Sequence, residues 1–157
     1  MNAPDEPLEI SAPLAWQFAA NHCNRDPASG GSCAWNHGLW QFLRIMKLAG
    51  SASGRGGFYR QAVRSALERN ASASILVSGA ADYAMLAQIL HEAQLQGATP
   101  SVTVVDLCET PLYLNRWYAD YRNTRVNTIR ADILEFRAPE QFDLICTDAF
   151  LGRFPPD

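Results

Sequence analysis

Residues 75–86 read ILVSGAADYAML, and this stretch decides the fold. Its first residues, Ile75 to Val77, predict a short buried strand, because aliphatic and β-branched side chains favour extended backbone. The strand runs into small residues at 79–81, after which apolar residues recur at helical spacing. A buried strand followed at once by a helix opens a β-α-β unit and therefore predicts a parallel sheet.

The same alternation continues through the second half of the chain. Three further apolar strands are predicted, at 102–105, 126–129 and 144–146. Strands without a polar face are typical of a sheet covered by helices on both faces. With right-handed crossovers, the pattern predicts an α/β fold, a Rossmann-like parallel sheet of about four strands.

The first seventy residues show no strand pattern. Apolar residues recur at helical spacing in three segments, at 11–22, 35–48 and 58–70. The Gly- and Ser-rich stretch 50–57 predicts a flexible loop. We interpret residues 1–70 as an N-terminal helical cap and residues 71–157 as a Rossmann-like half-domain.

Composition excludes several classes of protein. The chain has 157 residues, 48% of them hydrophobic, which rules out wholesale disorder. No apolar run approaches the ~20 residues that span a bilayer, so no membrane association is expected. The N-terminus lacks the basic and then apolar pattern of a signal peptide. In a protein without an export signal, the four cysteines are expected to be reduced thiols in the cytoplasm. A net charge of −3 argues against nucleic-acid binding.

Six basic side chains in the cap are opposed locally only by Glu68. They could contact a phosphate or carboxylate ligand, although a solvated helix face is the simpler interpretation. They are Arg44, Lys47, Arg55, Arg60, Arg64 and Arg69.

Aspartates stand where the predicted strands end. Asp106 follows the second strand, 27 residues after Gly79, and Asp132 and Asp148 follow the third and fourth. The carboxyl ends of parallel strands share one edge, where ligands of open α/β sheets bind. A carboxylate at the position of Asp106 can accept hydrogen bonds from both hydroxyls of a ribose, and Asp132 can accept one from an exocyclic amine. A single aspartate after a strand is usually a turn former, but successive ones indicate a pocket for an adenosine-bearing cofactor.

Four segments resemble the motifs of class I S-adenosylmethionine-dependent methyltransferases. They are ILVSGAADYAML, VTVVDL, RADILEF and FDLICTDAFL. The resemblance implies S-adenosylmethionine as cofactor. It implies cofactor contacts from Ser78, Gly79, Ala80, Ala81, Asp106, Leu107, Asp132 and Ile133, to which we add Tyr59 of the cap.

The chain departs from the family pattern in its first motif. Ala81 and Tyr83 stand where the family has its second and third glycines, and Val77 stands in place of the usual acidic residue. A contact to the amino group of the cofactor is therefore either absent or made by Ser78 or Asp82.

The fourth motif bears on the methyl acceptor. It is DAFL and not the NPPY-like signature of enzymes that methylate nucleic-acid amines, which favours a small-molecule acceptor. Transfer from a sulfonium is an in-line displacement that depends mainly on alignment. Asp148 and His37 are the candidate catalytic residues, and Trp40 and Tyr59 could line the acceptor side; each also has an ordinary structural interpretation.

A nicotinamide-dependent oxidoreductase is the alternative. The sequence GAADYA fits a loose G-x-A-x-x-A pattern, and Asp106 lies near the expected distance from it. Seventy helical residues before the first strand and the lack of a role for Asp132 disfavour this alternative.

No metal site is predicted. His22, Cys23, Cys33 and His37 have the spacing C-x9-C-x3-H without the close second pair of structural zinc sites. Cys108 and Cys146 are interpreted as small buried hydrophobes.

The sheet looks truncated after the fourth strand. An apolar strand at 144–147 belongs inside a sheet, because an unpaired edge invites association. We expect either that the natural protein continues past Asp157 or that a second copy or partner chain covers this edge. The 157-residue chain alone is then expected to be a poor methyltransferase.

Overall fold

The structure is a computed structural model and describes residues 4–23, 32–138 and 140–148. Within those residues no helix has the length and apolar character needed to cross a bilayer. A 3₁₀ turn covers Ala52–Arg55. The helices and strands, in chain order, are α1 (Leu8–His22), α2 (Ala34–Ile45), α3 (Gly56–Arg69), β1 (Ser74–Ser78), α4 (Ala84–Gln96), β2 (Ser101–Asp106), α5 (Glu109–Tyr121), β3 (Asn127–Arg130) and β4 (Leu144–Thr147).

The four strands form one parallel sheet in the order β3-β2-β1-β4. Val77 of β1 lies opposite Val104 of β2 on one side and Cys146 of β4 on the other. The predicted α/β fold with a four-stranded, Rossmann-like parallel sheet is confirmed. Among the described strands, β3 and β4 are the edges.

The hydrophobic core lies between one face of the sheet and helices α3, α4 and α5. Val77 and Val104 point into it together with Val63 of α3, Leu86 of α4 and Leu114 of α5. Because the β1-α4-β2 and β2-α5-β3 crossovers advance in the same direction with the same hand, they place their helices on the same face.

The opposite face has no helix among the described residues, although the sequence predicted helices on both faces. The connection from β3 to β4 lies there instead, and its Phe136 and Phe142 line a shallow pocket with Thr103 and Ile129. Ile145 of β4 is 63% exposed. A crossover without a helix covers a sheet only in part, which explains this exposure.

The helices before the sheet fall into two groups. Helices α1 and α2 pack closely against each other, and α1 also contacts α5. Helix α3 contributes Tyr59, Val63 and Leu67 to the same core as the sheet. The boundary at residue 70 between a cap and a half-domain therefore stays a prediction, and α3 packs as a helix of the sheet layer.

The predicted flexible loop at 50–57 is structured. Residues 52–55 form the 3₁₀ turn, and α3 begins at Gly56. Ala52 is buried, and Ser53 Oγ donates a hydrogen bond to Glu6 at 2.6 Å. Contacts from distant residues thus order a stretch whose own composition favours a loop.

Candidate cofactor site

A pocket opens at the carboxyl edge of the sheet, between the β1–α4 turn and helix α2. Five residues predicted for the site line it, namely Ser78, Gly79, Ala80, Ala81 and Asp148. Trp40 of α2, predicted for the acceptor side, lines it as well. Four residues from before the sheet that the sequence did not suggest also line it, namely Asn36, Gly50, Ser51 and Ala52.

The turn after β1 is a tight turn that depends on a glycine. Gly79 has φ of 65°, the left-handed conformation that favours glycine, and its N–H donates to the carbonyl of Val105 at 3.3 Å. Tyr83, in the place of the family's third glycine, is fully buried and stacks on Tyr118 with ring centroids 4.4 Å apart. Its ring packs into the core, so this departure from the glycine pattern leaves the pocket open.

Two polar atoms of the pocket residues are buried without a hydrogen-bond partner. They are Ser78 Oγ and Trp40 Nε1, and Ser78 is 4% exposed. A buried hydroxyl or indole N–H without a partner costs roughly 1–3 kcal/mol. Such atoms are satisfied most simply by a ligand or an ordered water in the pocket.

Asp106 ends β2, beside the β1 turn. One of its carboxylate oxygens, Oδ1, accepts the backbone N–H of Cys108 at 2.8 Å. Burial raises the pKa of Asp106 to about 6, against the opposing effect of that hydrogen bond. The other predicted contact on this loop, Leu107, is 55% exposed and presents its side chain to solvent.

Asp132 and Ile133 lie one strand further out, after β3. Asp132 Oδ1 accepts the N–H of Leu134 at 2.9 Å, which makes it the turn former that a lone aspartate after a strand usually is. Both residues are half-buried and lie outside the lining of the pocket. The strand order nevertheless sets Asp132, Asp106, Gly79 and Asp148 in sequence along one edge of the sheet.

Asp148, after β4, is held by two side chains from the segment before the sheet. Tyr59 Oη donates to Asp148 Oδ1 at 2.8 Å, and the guanidinium of Arg55 forms an ion pair with the same oxygen. Burial, followed by the hydrogen bond to Asp148, raises the pKa of Tyr59. Tyr59, predicted as a cofactor contact, therefore reaches the pocket through Asp148.

Sequence reasoning missed the ion pair behind the pocket. Arg44 donates to Asp82 at 2.6 Å and to Glu6 at 2.8 Å, and its side chain is 5% exposed. Asp82 Oδ1 also accepts the N–H of Ala84 at the start of α4. Asp82 was considered as a partner for the cofactor's amino group, but its carboxylate is already engaged by Arg44.

The basic run of the cap is largely neutralised within the chain. Arg44 and Arg55 form the ion pairs described above, and Arg60 and Arg64 pair with the fully buried Glu92 of α4. Acids distant in the sequence therefore neutralise arginines that looked unopposed.

His37 lies apart from the pocket lining. Its Nδ1 is 3.4 Å from Cys23 Sγ, and Cys33 and Cys108 lie in the same cluster. His22, considered with these residues, instead donates from Nδ1 to the carbonyl of Phe18 at 3.0 Å. Burial raises the pKa of the Cys108 thiol, but hydrogen bonds from His37 and from the N–H of Thr110 outweigh it and lower that pKa to about 6.

The fold is shared with a solved structure. No family model matches the chain, and no curated protein matches it. A crystal structure from Listeria monocytogenes, provisionally named a class I S-adenosylmethionine-dependent methyltransferase, superposes with a TM-score of 0.54 at 18% identity. The match covers 73% of this chain and 38% of that one. The likeness shows the fold: a Rossmann-like α/β sheet of the kind that this methyltransferase class uses.

Proposed function

We propose that this chain binds S-adenosylmethionine and belongs to an enzyme that transfers its methyl group to a small-molecule acceptor. The observation that carries the proposal is the pocket at the β1–α4 turn. It combines a left-handed Gly79 with a buried, unpartnered Ser78 Oγ. The likeness to the Listeria monocytogenes protein supports the same class.

The residues present fit this cofactor. The small side chains of Ala80 and Ala81 allow a close approach to the backbone. Ser78 Oγ and Trp40 Nε1 offer hydrogen bonds to the polar amino-acid end of the ligand. Asp106 keeps acceptor capacity for ribose hydroxyls beyond its bond to Cys108, because a carboxylate offers about four lone-pair sites. Asp132 and Ile133 would contact the adenine at the outer end of the same edge.

The pocket must widen to take a ligand of this size. Its volume is about 110 Å³, whereas pockets for such molecules span roughly 300–1,000 Å³. Ala52 of the 3₁₀ turn lines the pocket, and Arg55, which ends that turn, has a half-exposed side chain paired with Asp148. We therefore infer that the cofactor enters with a displacement of the cap.

Asp148 is our candidate for the acceptor side. When bound, the cofactor supplies an electrophilic methyl group on a sulfonium. The carboxylate of Asp148 would orient the acceptor, or take its proton once Arg55 moves away. The small pocket beneath the cap and the internal neutralisation of four arginines support a small acceptor over a nucleic acid.

Calorimetric titration tests cofactor binding. We expect saturable binding of S-adenosylmethionine or its demethylated product, and none of NAD. Ser78→Ala should weaken binding, whereas the exposed Arg69→Ala on α3 should leave it unchanged. Binding of NAD alone would overturn the proposal in favour of the oxidoreductase.

Incubation with cofactor labelled in the methyl group tests the acceptor class. The label should pass into the low-molecular-weight fraction of a lysate, and Asp148→Asn should abolish transfer while retaining cofactor binding. Label appearing only in nucleic acid or protein would contradict a small acceptor.

We further propose that full turnover needs an additional strand beside β4, from further sequence, a partner chain or a second copy. Ile145 is exposed, and β4 is an edge of the described sheet. Full turnover by the 157-residue chain as a monomer, established by sedimentation at the assay concentration, would refute this.

A further inference from the structure

Four potential metal ligands meet on the cap side of the β2–α5 loop. They are the Sγ atoms of Cys23, Cys33 and Cys108 and the ring of His37, and their ligand atoms all lie within 4.8 Å of one another. We refer to these four residues as the thiol cluster. The sequence separates them widely: Cys108 lies 85 residues beyond Cys23.

Three of the spacings within the cluster match edges of a zinc-centred tetrahedron, and all of them lie within 4.8 Å. With zinc bonds of about 2.3 Å to sulfur and about 2.05 Å to nitrogen, two sulfurs stand roughly 3.8 Å apart and a sulfur and a nitrogen roughly 3.6 Å apart. The observed distances are 3.7 Å from Cys33 Sγ to Cys108 Sγ and 3.5 Å from Cys108 Sγ to Cys23 Sγ. Cys23 Sγ lies 3.4 Å from His37 Nδ1.

Three separate elements hold the four residues in place. Cys23 is the C-cap of α1, Cys33 is the N-cap of α2 and Cys108 is the N-cap of α5. His37 lies on the first turn of α2, where its backbone N–H donates to the carbonyl of Cys33 at 2.9 Å. Ligands fixed by helix ends are already close to the positions that a metal requires, so binding needs little rearrangement.

The surroundings of Cys33 and Cys108 favour thiolates over thiols, whereas burial raises the pKa of the Cys23 thiol. Cys33 and Cys108 sit at helix N-termini, whose free N–H groups and dipoles stabilise negative charge. Thr110 Oγ1 lies 3.1 Å from Cys23 Sγ and can donate to it. Such hydrogen bonds from neighbouring residues commonly orient and stabilise zinc ligands. Cys23, Cys33 and His37 are half-buried, which leaves a path for an ion from solvent.

We propose that Cys23, Cys33, His37 and Cys108 bind one Zn²⁺ ion in a closed, structural site. Four protein ligands leave no open position for water or substrate, which is the mark of a structural zinc site. On binding, the three sulfurs bond to the metal as thiolates, and any protons they carry pass to solvent. This replaces the expectation of no metal drawn from the sequence, in which Cys108 was absent from the ligand set and His22 stood among the candidates.

The ion would tie the cap to the cofactor edge of the sheet. It joins the C-terminal end of α1 and the N-terminal end of α2 to Cys108, which lies two residues after Asp106. Zinc binding should therefore stabilise the cap and fix the loop that follows Asp106, whether or not the pocket takes S-adenosylmethionine.

Metal content tests the site directly in the full chain. The protein is purified under reducing conditions without chelator, and its zinc content is measured by inductively coupled plasma mass spectrometry. About one zinc per chain is expected. The metal-free chain titrated with Co²⁺ should develop the intense visible absorption of a tetrahedral thiolate site, which zinc then abolishes.

Single variants identify the ligands. Cys23→Ser, Cys33→Ser, Cys108→Ser and His37→Gln should each weaken zinc binding at least tenfold, while Cys146→Ser, a buried cysteine on β4 outside the cluster, should bind like the unaltered chain. If a ligand variant fails to fold, the Co²⁺ spectrum of the unaltered chain still shows whether a tetrahedral thiolate site is present. Three outcomes would each overturn the proposal. The first is a protein that contains no metal and develops no Co²⁺ spectrum, and the second is a disulfide within the cluster in place of metal. The third is equal zinc binding by Cys108→Ser and Cys146→Ser.

Discussion

Arg44 Nη1 of α2 lies 2.6 Å from Asp82 Oδ2 in the turn that leads into α4. Their side chains are 5% and 2% exposed, so the two charges face each other with almost no solvent. Glu6, 2.8 Å from the same guanidinium, adds a second carboxylate. The pair joins α2 to the wall of the candidate cofactor pocket, which Asp82 lines.

Removing Arg44 should strongly destabilise the fold. Arg44→Ala leaves Asp82 and Glu6 without their cation, and breaking a buried ion pair from one side costs about 3–5 kcal/mol. We expect a loss of that size in the free energy of unfolding measured in urea. The exposed Arg69→Ala is the matched control and should change it by less than about 0.5 kcal/mol. Equal values for the two variants would show that the pair contributes nothing.

Ser78→Ala should separate ligand binding from stability. Because Ser78 Oγ has no partner, its removal should leave the free energy of unfolding unchanged or slightly higher. The same change would remove the hydrogen bond that we propose to S-adenosylmethionine, which corresponds to about a two- to tenfold loss of affinity. Calorimetry and urea unfolding on the same preparations measure both quantities. A large loss of stability would indicate that the hydroxyl serves the fold.

Two glycine-to-alanine changes should have opposite signs. Gly97 ends α4 with φ of 62° and has open space where a methyl group would stand, so Gly97→Ala should cost about 1 kcal/mol through backbone strain alone. Gly57 lies in α3, also with open space, and Gly57→Ala should stabilise by up to about 1 kcal/mol. Thermal and urea unfolding measure the stabilities of the Gly97→Ala and Gly57→Ala variants against that of the unaltered chain. Gly97→Asn should cost less than Gly97→Ala, since asparagine tolerates the left-handed region; the reverse order would contradict strain as the cause.

Stability should fall at alkaline pH. Burial raises the pKa of Tyr83 above the ordinary value near 10. The folded state then keeps a proton that the unfolded chain releases, so the stabilisation is complete below pH 10 and decreases as the pH rises above it. Between pH 9 and pH 11 this tyrosine alone should account for a loss of about 1.4 kcal/mol.

Urea unfolding across that range, with Tyr83→Phe as comparison, isolates the contribution. The variant loses the hydrogen bond between Tyr83 Oη and Ser11 Oγ, so it should be less stable at pH 9. Its stability should nevertheless decline less steeply towards pH 11. Parallel curves for the variant and the unaltered chain would rule out Tyr83 as the titrating group.

The elements that define the fold could be predicted because their signals are local. The run Ile75–Val77 followed by Gly79 encodes a buried strand and a tight turn within a few residues. The same holds for β2 with Asp106 and β4 with Asp148. Parallel strands bring their carboxyl ends to one edge whatever their order, so the placement of these aspartates follows from strand prediction alone.

Other features could not be predicted, because they depend on residues brought together from distant parts of the chain. The sequence shows Arg44 as one arginine in a basic run, and only the packing of α2 against the β1–α4 turn sets it beside Asp82. Which face of the sheet carries helices depends on the direction and hand of successive crossovers, which a pattern of apolar residues does not contain.

The sequence by itself determined the parallel α/β sheet, the loop at Gly79 and the aspartates along one edge, since each arises from a few neighbouring residues. Only the tertiary structure decided that Ser78 Oγ is left without a partner, that Tyr59 and Arg55 hold Asp148, and that Cys108 joins Cys23, Cys33 and His37. These relationships come from closing loops of up to about ninety residues. Contacts made that way depend on the packing of whole elements, and no spacing in the chain encodes them.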